Sequence, residues 1–456
     1  MLPDVPLIEI FDFYVDEAPE AWSTLVHVCK TWRNLVFGSS RRLNLRLYCS
    51  IRTQVREKLD VWPNLPIVVE NHILFENQGV DNIVAALEHN DRICETLLTP
   101  IPSPQLGRIL TAMQQPFPAL KFLWLGFMDE NEAAQVEPDL FLGGSAPHLQ
   151  TLHLDRVPFP GLPKLLLSAT DLIDLKIWRI PHSGYISPEA MVASLSVLTR
   201  LDSLEIGFNF PRTRPDRFRP SPPTCILLPA LTHLCLKGAP EYLEDFVTRI
   251  DVPLLNDLEL NFFHQLIFDA QPNLTQFISR TPNFKIHDKL HVIFSDQDIW
   301  VILPQTFDGL NRSIQLKISC SRSDWQLSSL VQACISSFLR VLIPAVQRLY
   351  IYGLTTLRNW QDDIESCQWL ELLQLFTAVE ALYISKEFSP CIATALRELI
   401  GEGAREGVTE VLPALRTLFL EPLPSGPVQE AIGKFAMARQ LANYPIEVSQ
   451  WEGKHF

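Results

Sequence analysis

Nine stretches of this chain share one spelling, L-x-x-L-x-L with aliphatic replacements: FPALKFLWL, APHLQTLHL, ATDLIDLKI, LTRLDSLEI, LPALTHLCL, VPLLNDLEL, IPAVQRLYI, FTAVEALYI and LPALRTLFL. The first residue of the spelling recurs at spacings of 29, 23, 29, 30 and 24 from Leu120 to Leu255, and of 33 and 36 among the last three copies. No other feature limits the fold so strongly. The L-x-L end of each copy reads as a strand, because alternate residues of a strand point to opposite faces. The triads, from Leu120, Leu123 and Leu125 through Leu149, Leu152 and Leu154 to Leu415, Leu418 and Leu420, then point inward under a helical or looped segment. A unit this short buries its apolar face only against its neighbours, so the copies must stack into a one-dimensional array. At 456 residues the chain exceeds one ordinary compact core, as such an array would.

Period and spelling together indicate a leucine-rich repeat. Between Leu260 and Val346 the pattern blurs; KLHVIF and SIQLKI read as worn strands without secure phase. The asparagine expected three residues after each triad occurs only at Asn209, with Val157, Ile180, Ala239 and Leu354 at equivalent places, which predicts an irregular solenoid. The longest apolar stretch, LVQACISSFLRVLIPAV, is interrupted by Arg340 and Pro344 and reads as an amphipathic helix inside a domain, too short to span a bilayer. PSGPVQEAIGKFAMARQLANYP reads as a closing amphipathic helix that caps the array. Between the last two residues of each triad lies one position predicted to face solvent. In order these are Trp124, His153, Lys176, Glu205, Cys235, Glu259, Tyr350, Tyr383 and Phe419, with aromatics at both ends and charges between them. Exposed aromatics beside charges mark interface anchors, so all of these except Cys235 are candidate target-binding residues.

The opening LPDVPLIEIFDFYVDEAPEAWSTLVHVCKTWRNLV poses a separate question. Asp4 can cap a helix beginning near Val5, with Pro6 harmless in its first turn, and Leu7, Ile10, Phe11 and Tyr14 predicted on one face. A break at DEAP leads to a second helix with Trp22, Leu25 and Val26, and a third from Lys30 to Val36 carries Trp32, Leu35 and Val36. Three helices in so few residues cannot bury their own faces, which predicts docking onto the rest of the chain or onto a partner. Leu2-Pro3, Ile10-Phe11, Leu25, Val28-Cys29 and Trp32 resemble the F-box, with departures at Val5 and Pro6. That resemblance implies binding to the Skp-type adaptor, and through it a cullin, of a ubiquitin ligase. Leu2, Pro3, Ile10, Phe11, Leu25, Val28 and Trp32 would form or support the adaptor-facing surface. With the repeats, and with LDVWP, FLGGSAP, SGYISPEAM and QWLELL, nearly the whole chain resembles F-box proteins with degenerate leucine-rich repeats of mushroom-forming fungi.

The remaining features exclude more than they assign. The net charge is −14, so nucleic-acid binding would need a local basic patch, and PRTRPDRFRPSPP (211–223) reads better as an extended surface loop. Nine scattered cysteines without a CxxC pair argue against a disulfide framework or zinc ribbon. The opening lacks the basic region of a secretory signal, so a cytoplasmic or nuclear location is expected. No GxxxxGK, GxSxG or GxGxxG occurs. HDKLH places His287 and His291 at metal-ligand spacing, but Asp288 stands where a glutamate would and the segment reads as strand, so ordinary surface histidines are expected. The sequence therefore reads as an α/β leucine-rich-repeat-like solenoid preceded by a small three-helix F-box. Its boundaries are 1–40 for the F-box, 41–100 for a linker and amino-terminal cap, 101–425 for the solenoid, and 426–456 for the capping helix and tail. The expected function is a non-catalytic substrate receptor with no cofactor, no metal, no nucleic acid and no membrane partner. Its partners would be the adaptor and an unknown target protein; the alternative is a repeat scaffold or sensor acting without ubiquitin transfer.

Overall fold

The computed structural model describes residues 3–17, 21–38, 45–51, 53–62, 64–71, 79–127, 141–159, 161–209, 225–263, 272–284, 287–307, 310–319, 323–354, 366–400, 407–421 and 426–451. Leu2 and the arginine–proline segment 211–223 lie outside them. The chain divides into two compact units, the first holding Met1–Phe210 with Ile226–Leu231, the second Pro211–Cys225 with Thr232–Phe456. Both are mixed α/β and built on mostly parallel strands.

The first unit opens with three helices, α1 (Asp4–Glu17), α2 (Ala21–Val28) and α3 (Lys30–Gly38). Seven strands follow: β1 (Leu45–Cys49), β2 (Ile67–Asn71), β3 (Ile93–Ile101), β4 (Phe122–Phe127), β5 (Thr151–Asp155), β6 (Asp174–Ile180) and β7 (Ser203–Phe208). All pair in parallel in chain order. Strands therefore begin at Leu45, inside the 41–100 stretch read as linker and cap. The crossovers carry α4 (Val55–Val61), α5 (Val80–Leu87), α6 (Ser103–Ala112), a short 3-10 turn (Phe141–Gly144), α7 (Leu162–Leu166) and α8 (Pro188–Leu195), and a two-residue β8 (Ile226–Leu227) closes the unit. Ser187 caps α8 by accepting the Ala190 amide at 3.3 Å, with Pro188 in the first turn.

The second unit runs β9 (His233–Gly238), α9 (Pro240–Thr248), β10 (Ile250–Asp251), β11 (Asp257–Phe262), α10 (Pro272–Arg280), β12 (Lys289–Phe294), β13 (Asp298–Phe307), β14 (Leu310–Ser319), α11 (Ser323–Ser336) and α12 (Leu339–Leu342). It continues with β15 (Arg348–Gly353), α13 (Ser366–Gln374), β16 (Ala381–Ile384), α14 (Ser389–Glu398), α15 (Gly407–Glu410), β17 (Thr417–Leu420), α16 (Pro427–Leu441) and β18 (Glu447–Gln450). Its strand order is β9-β11-β14-β13-β12-β15-β16-β17-β18.

All nine triads are buried, from Leu120 to Leu420. They sit under helices whose apolar faces are buried too, such as Leu243, Phe246 and Val247 on α9. At the strand entrances several carbonyls each accept two N–H groups of the next copy: Lys121 from Gln150 and Thr151, Gln150 from Ile173 and Asp174, Gln347 from Glu380 and Ala381, Glu380 from Arg416 and Thr417. At the strand exits Arg156 and Arg179 take left-handed backbone, φ 59° and 52°. The Arg156 amide donates to the Trp178 carbonyl, and the Arg179 guanidinium forks onto Asp155.

The blurred region departs from the sequence reading in one respect. KLHVIF and SIQLKI are strands, parallel to β15 and β11 respectively. Between them lies β13, antiparallel to both, joined to β12 by a tight turn in which Ser295 Oγ accepts the Asp298 amide at 3.0 Å. WVILPQTF carries no leucine triad, and its Pro304 argues against an interior strand; the two flanking ladders override that local signal. LVQACISSFLRVLIPAV is likewise not one helix: α11 ends at Ser336 and the chain turns by 68° before Leu339. Among the described residues no single helix is long and apolar enough to cross a membrane.

The closing segment holds α16 and then one further strand, β18. Arg439 of α16 is fully buried. Its guanidinium donates to the carbonyls of Val408, Val411, Leu412, Pro413, Leu415 and Tyr444 at 3.2–3.5 Å. Backbone dipoles take the place of a counter-ion there.

Candidate functional site

The amino-terminal helices present one surface. Leu7 and Phe11, four apart on α1, are buried with Leu25, Val26 and Val36 against Leu45 and Leu65. Trp32 lies partly buried with its ring 4.8 Å from that of Phe11. The sequence-predicted single face of α1 is therefore split: Leu7 and Phe11 turn in, whereas Ile10 (51% exposed) and Tyr14 turn out. The cause is packing, since α1 lies against α2 and α3 and leaves its far side to solvent. Of the adaptor-facing candidates, Pro3, Ile10 and Val28 are exposed, Phe11 and Leu25 are core, and Trp32 supports Phe11. The resemblance did not single out Val5 and Phe13, which are 64% and 67% exposed beside Ile10. Their large size at polar-face positions of α1 was the available signal.

The row of inter-leucine positions is real within each unit. In the first, strand register aligns Tyr48, Glu70, Leu97, Trp124, His153, Lys176 and Glu205. Trp124, 37% exposed, meets His153 edge to face at 5.6 Å. His153 Nε2 lies 2.8 Å from Asp174 Oδ2, Lys176 Nζ 2.8 Å from Glu205, and Trp178 Nε1 donates to Glu205 at 2.8 Å. Burial raises the Asp174 carboxyl, but the hydrogen bond and charge of His153, with Lys176 and Ser203, outweigh it and leave the group below its ordinary value. The charged middle thus neutralises itself and leaves Trp124 as the exposed anchor.

In the second unit register aligns Cys235, Glu259, Gln315, Ile302, His291, Tyr350, Tyr383, Phe419 and Ser449. Four of these rings form a face-to-face ladder. His291 and Tyr350 stack at 4.4 Å, Tyr350 and Tyr383 at 4.2 Å, and Tyr383 and Phe419 at 4.3 Å, all within 10° of parallel. Trp451 stands edge-on over both tyrosines, at 6.2 and 5.7 Å. The ladder follows from in-register parallel pairing, which places one ring on each successive strand at nearly the stacking distance. Its density corrects two expectations. Tyr350, predicted to face solvent, is buried under Trp451, as is Cys235 elsewhere in the row, and His287 and His291 are buried rather than surface histidines. Burial, and then Tyr383, pushes the Tyr350 hydroxyl up to about 12. Burial, and then Lys289, pushes His291 down to about 4. Glu259 accepts from the Asn261 side-chain amide, and the Arg348 guanidinium donates one bond to Asp288.

Among the described residues no three His, Cys, Asp or Glu side chains converge as a metal site. Gly143 and Gly144 serve a turn: both have positive φ, and a Cβ on Gly143 would lie 2.7 Å from Pro116. A groove of about 460 Å³ runs between α16 and β18, walled by Leu420, Gln429, Ile432, Gly433 and Val448, and no sequence motif marked it. The chain matches no known protein-family model and no curated protein sequence.

Proposed function

We propose that this chain is a non-catalytic substrate receptor of a Skp–cullin–F-box ubiquitin ligase. The three amino-terminal helices dock the adaptor, and a leucine-rich-repeat-like solenoid holds a target protein on its row of inter-leucine side chains. The observation that carries this reading is the division of labour on α1 and α2: Leu7, Phe11 and Leu25 anchor inward while Val5, Ile10, Phe13 and Val28 stand in solvent. Burying one such side chain contributes roughly 1.5–3 kcal/mol, so three exposed on α1 and a fourth on α2 are surface that a partner would cover. Further support comes from the chain-ordered parallel strands and from the exposed Trp124 and half-buried Tyr383 and Phe419, which suit anchors of a protein interface. Such a receptor needs no cofactor and works in the cytoplasm or nucleus. Its contribution to rate is proximity: it raises the effective concentration of the target near a ubiquitin-loaded enzyme.

The test is co-expression with a fungal Skp adaptor followed by pull-down, beside an Ile10→Asp, Val28→Asp double variant. Both positions are exposed, so the variant keeps its fold by circular dichroism. Retention by the wild type and loss by the variant is the expected result. A wild type that does not retain the adaptor, or a variant that still does, overturns the receptor reading in favour of a scaffold.

A further inference from the structure

The aromatic ladder of the second unit stops abruptly. In strand register Phe419 is followed by Ser449, so among the described residues the outer face of the Phe419 ring has no stacking neighbour. The register pairs Thr417 with Glu447 and Phe419 with Ser449, so alternation puts Glu447, Ser449 and Trp451 together on the ladder's face of the sheet. The position above Ser449 is thus bounded by an aromatic face and by the Glu447 carboxylate. Glu447 makes no ion pair among the described residues; it accepts from Ser449 Oγ at 3.2 Å. This contrasts with the first unit, where His153, Lys176 and Arg179 each meet a carboxylate.

We propose that the Ser449 end of the ladder is a slot for an arginine side chain of a partner protein, with Phe419 as its stacking face and Glu447 as its counter-charge. Of the two side chains that are cationic throughout the physiological range, the guanidinium is the planar one, which stacks on an aromatic face and bonds carboxylates with its edge. It would continue the ladder by one rung at the position where this chain supplies a serine. The net charge of −14 draws a basic segment towards the surface, and the slot gives it an address. Naming that partner as the ligase target rests on the receptor reading above.

The probe is an acetylated hexa-arginine amide titrated calorimetrically into the full chain at physiological salt, with hexa-lysine as its companion. The wild type is expected to bind hexa-arginine more tightly than hexa-lysine. Glu447→Gln should weaken hexa-arginine binding about fivefold. Ser449→Phe, which fills the slot with a ring, should abolish it. Glu88→Gln makes the same change of net charge in the other unit and should leave binding unchanged. Absence of binding by the wild type overturns the slot, as does equal affinity for the two peptides. Full binding by Ser449→Phe, or an equal loss from Glu88→Gln, reduces the interaction to net charge and overturns it too. These outcomes leave the adaptor pull-down untouched, so the slot and the receptor reading fail separately.

Discussion

His291 makes the stability of the second unit depend on pH in a way that one substitution can isolate. The ring lies on β12, 5% exposed, flat against Tyr350 and edge-on to Tyr352, with Ile302 opposite it on β13. Burial first, and the charge of Lys289 second, lower its pKa from 6.5 to about 4. The folded state therefore holds the neutral ring, while the unfolded chain takes up a proton at the ordinary value. A depressed histidine pKa gives stability that is complete above pH 6.5 and is lost as pH falls towards about 4. At about 1.4 kcal/mol per pKa unit, that difference amounts to about 3 kcal/mol. His287, also lowered by burial, adds to the loss with the same sign. His291→Phe keeps a ring for Tyr350 to stack on and removes the proton site. Urea unfolding should then show the wild type losing about 1.4 kcal/mol more per pH unit than the variant between about pH 6 and pH 4.5. Hydrogen exchange in 287–294 and 348–353 should follow the same difference. Equal slopes for the two proteins would refute the reasoning, because a histidine buried neutral must release that difference when it is charged.

Two further substitutions probe the frame. Arg439→Met retains the bulk of the side chain but strips a donor from six carbonyls, four of them on the buried residues Val408, Val411, Leu412 and Leu415. Partly offset by relief of the buried charge, it should cost about 2–4 kcal/mol, read as lost exchange protection across 407–421 and 447–450; unchanged protection would mean that desolvation cancels those bonds. Leu154→Ala, at a fully packed triad position of β5, should cost about 2–5 kcal/mol by thermal melting, and a loss under about 1 kcal/mol would deny the triads their role as core.

Much of this could be read from the chain because the signals are local and repeated. L-x-x-L-x-L marks a strand and its inward face at once, and all nine triads are core. The helix breaks near DEAP and Cys29 could be placed from capping and spacing, and fall at Glu17 and Val28. β13 could not be read, because WVILPQTF becomes a strand only when two neighbours offer ladders on both sides, and Pro304 hides that. The split face of α1 was hidden for a similar reason: Leu7 and Ile10 are equally apolar, and only the placement of α2 and α3 determines which turns inward.

The candidate surface divides along the same line. Spacing alone identified the row from Trp124 to Phe419, since parallel strands of a repeat must pair in register. Exposure along the row did not follow from spacing. Trp451, thirty-two residues beyond Phe419, folds over Tyr350 and Tyr383 and removes Tyr350 from solvent. The carboxylates of Asp174 and Glu205 are met by His153 and Lys176 from neighbouring strands, while Glu447 is left open. By itself, then, the sequence determined the strands of the nine copies, which of their faces is core, and that a solvent-side row exists, because those follow from period and side-chain alternation. Only the tertiary structure decided which members of that row are covered, which charges are satisfied, and where the aromatic ladder ends, because those depend on contacts between residues that no local pattern relates.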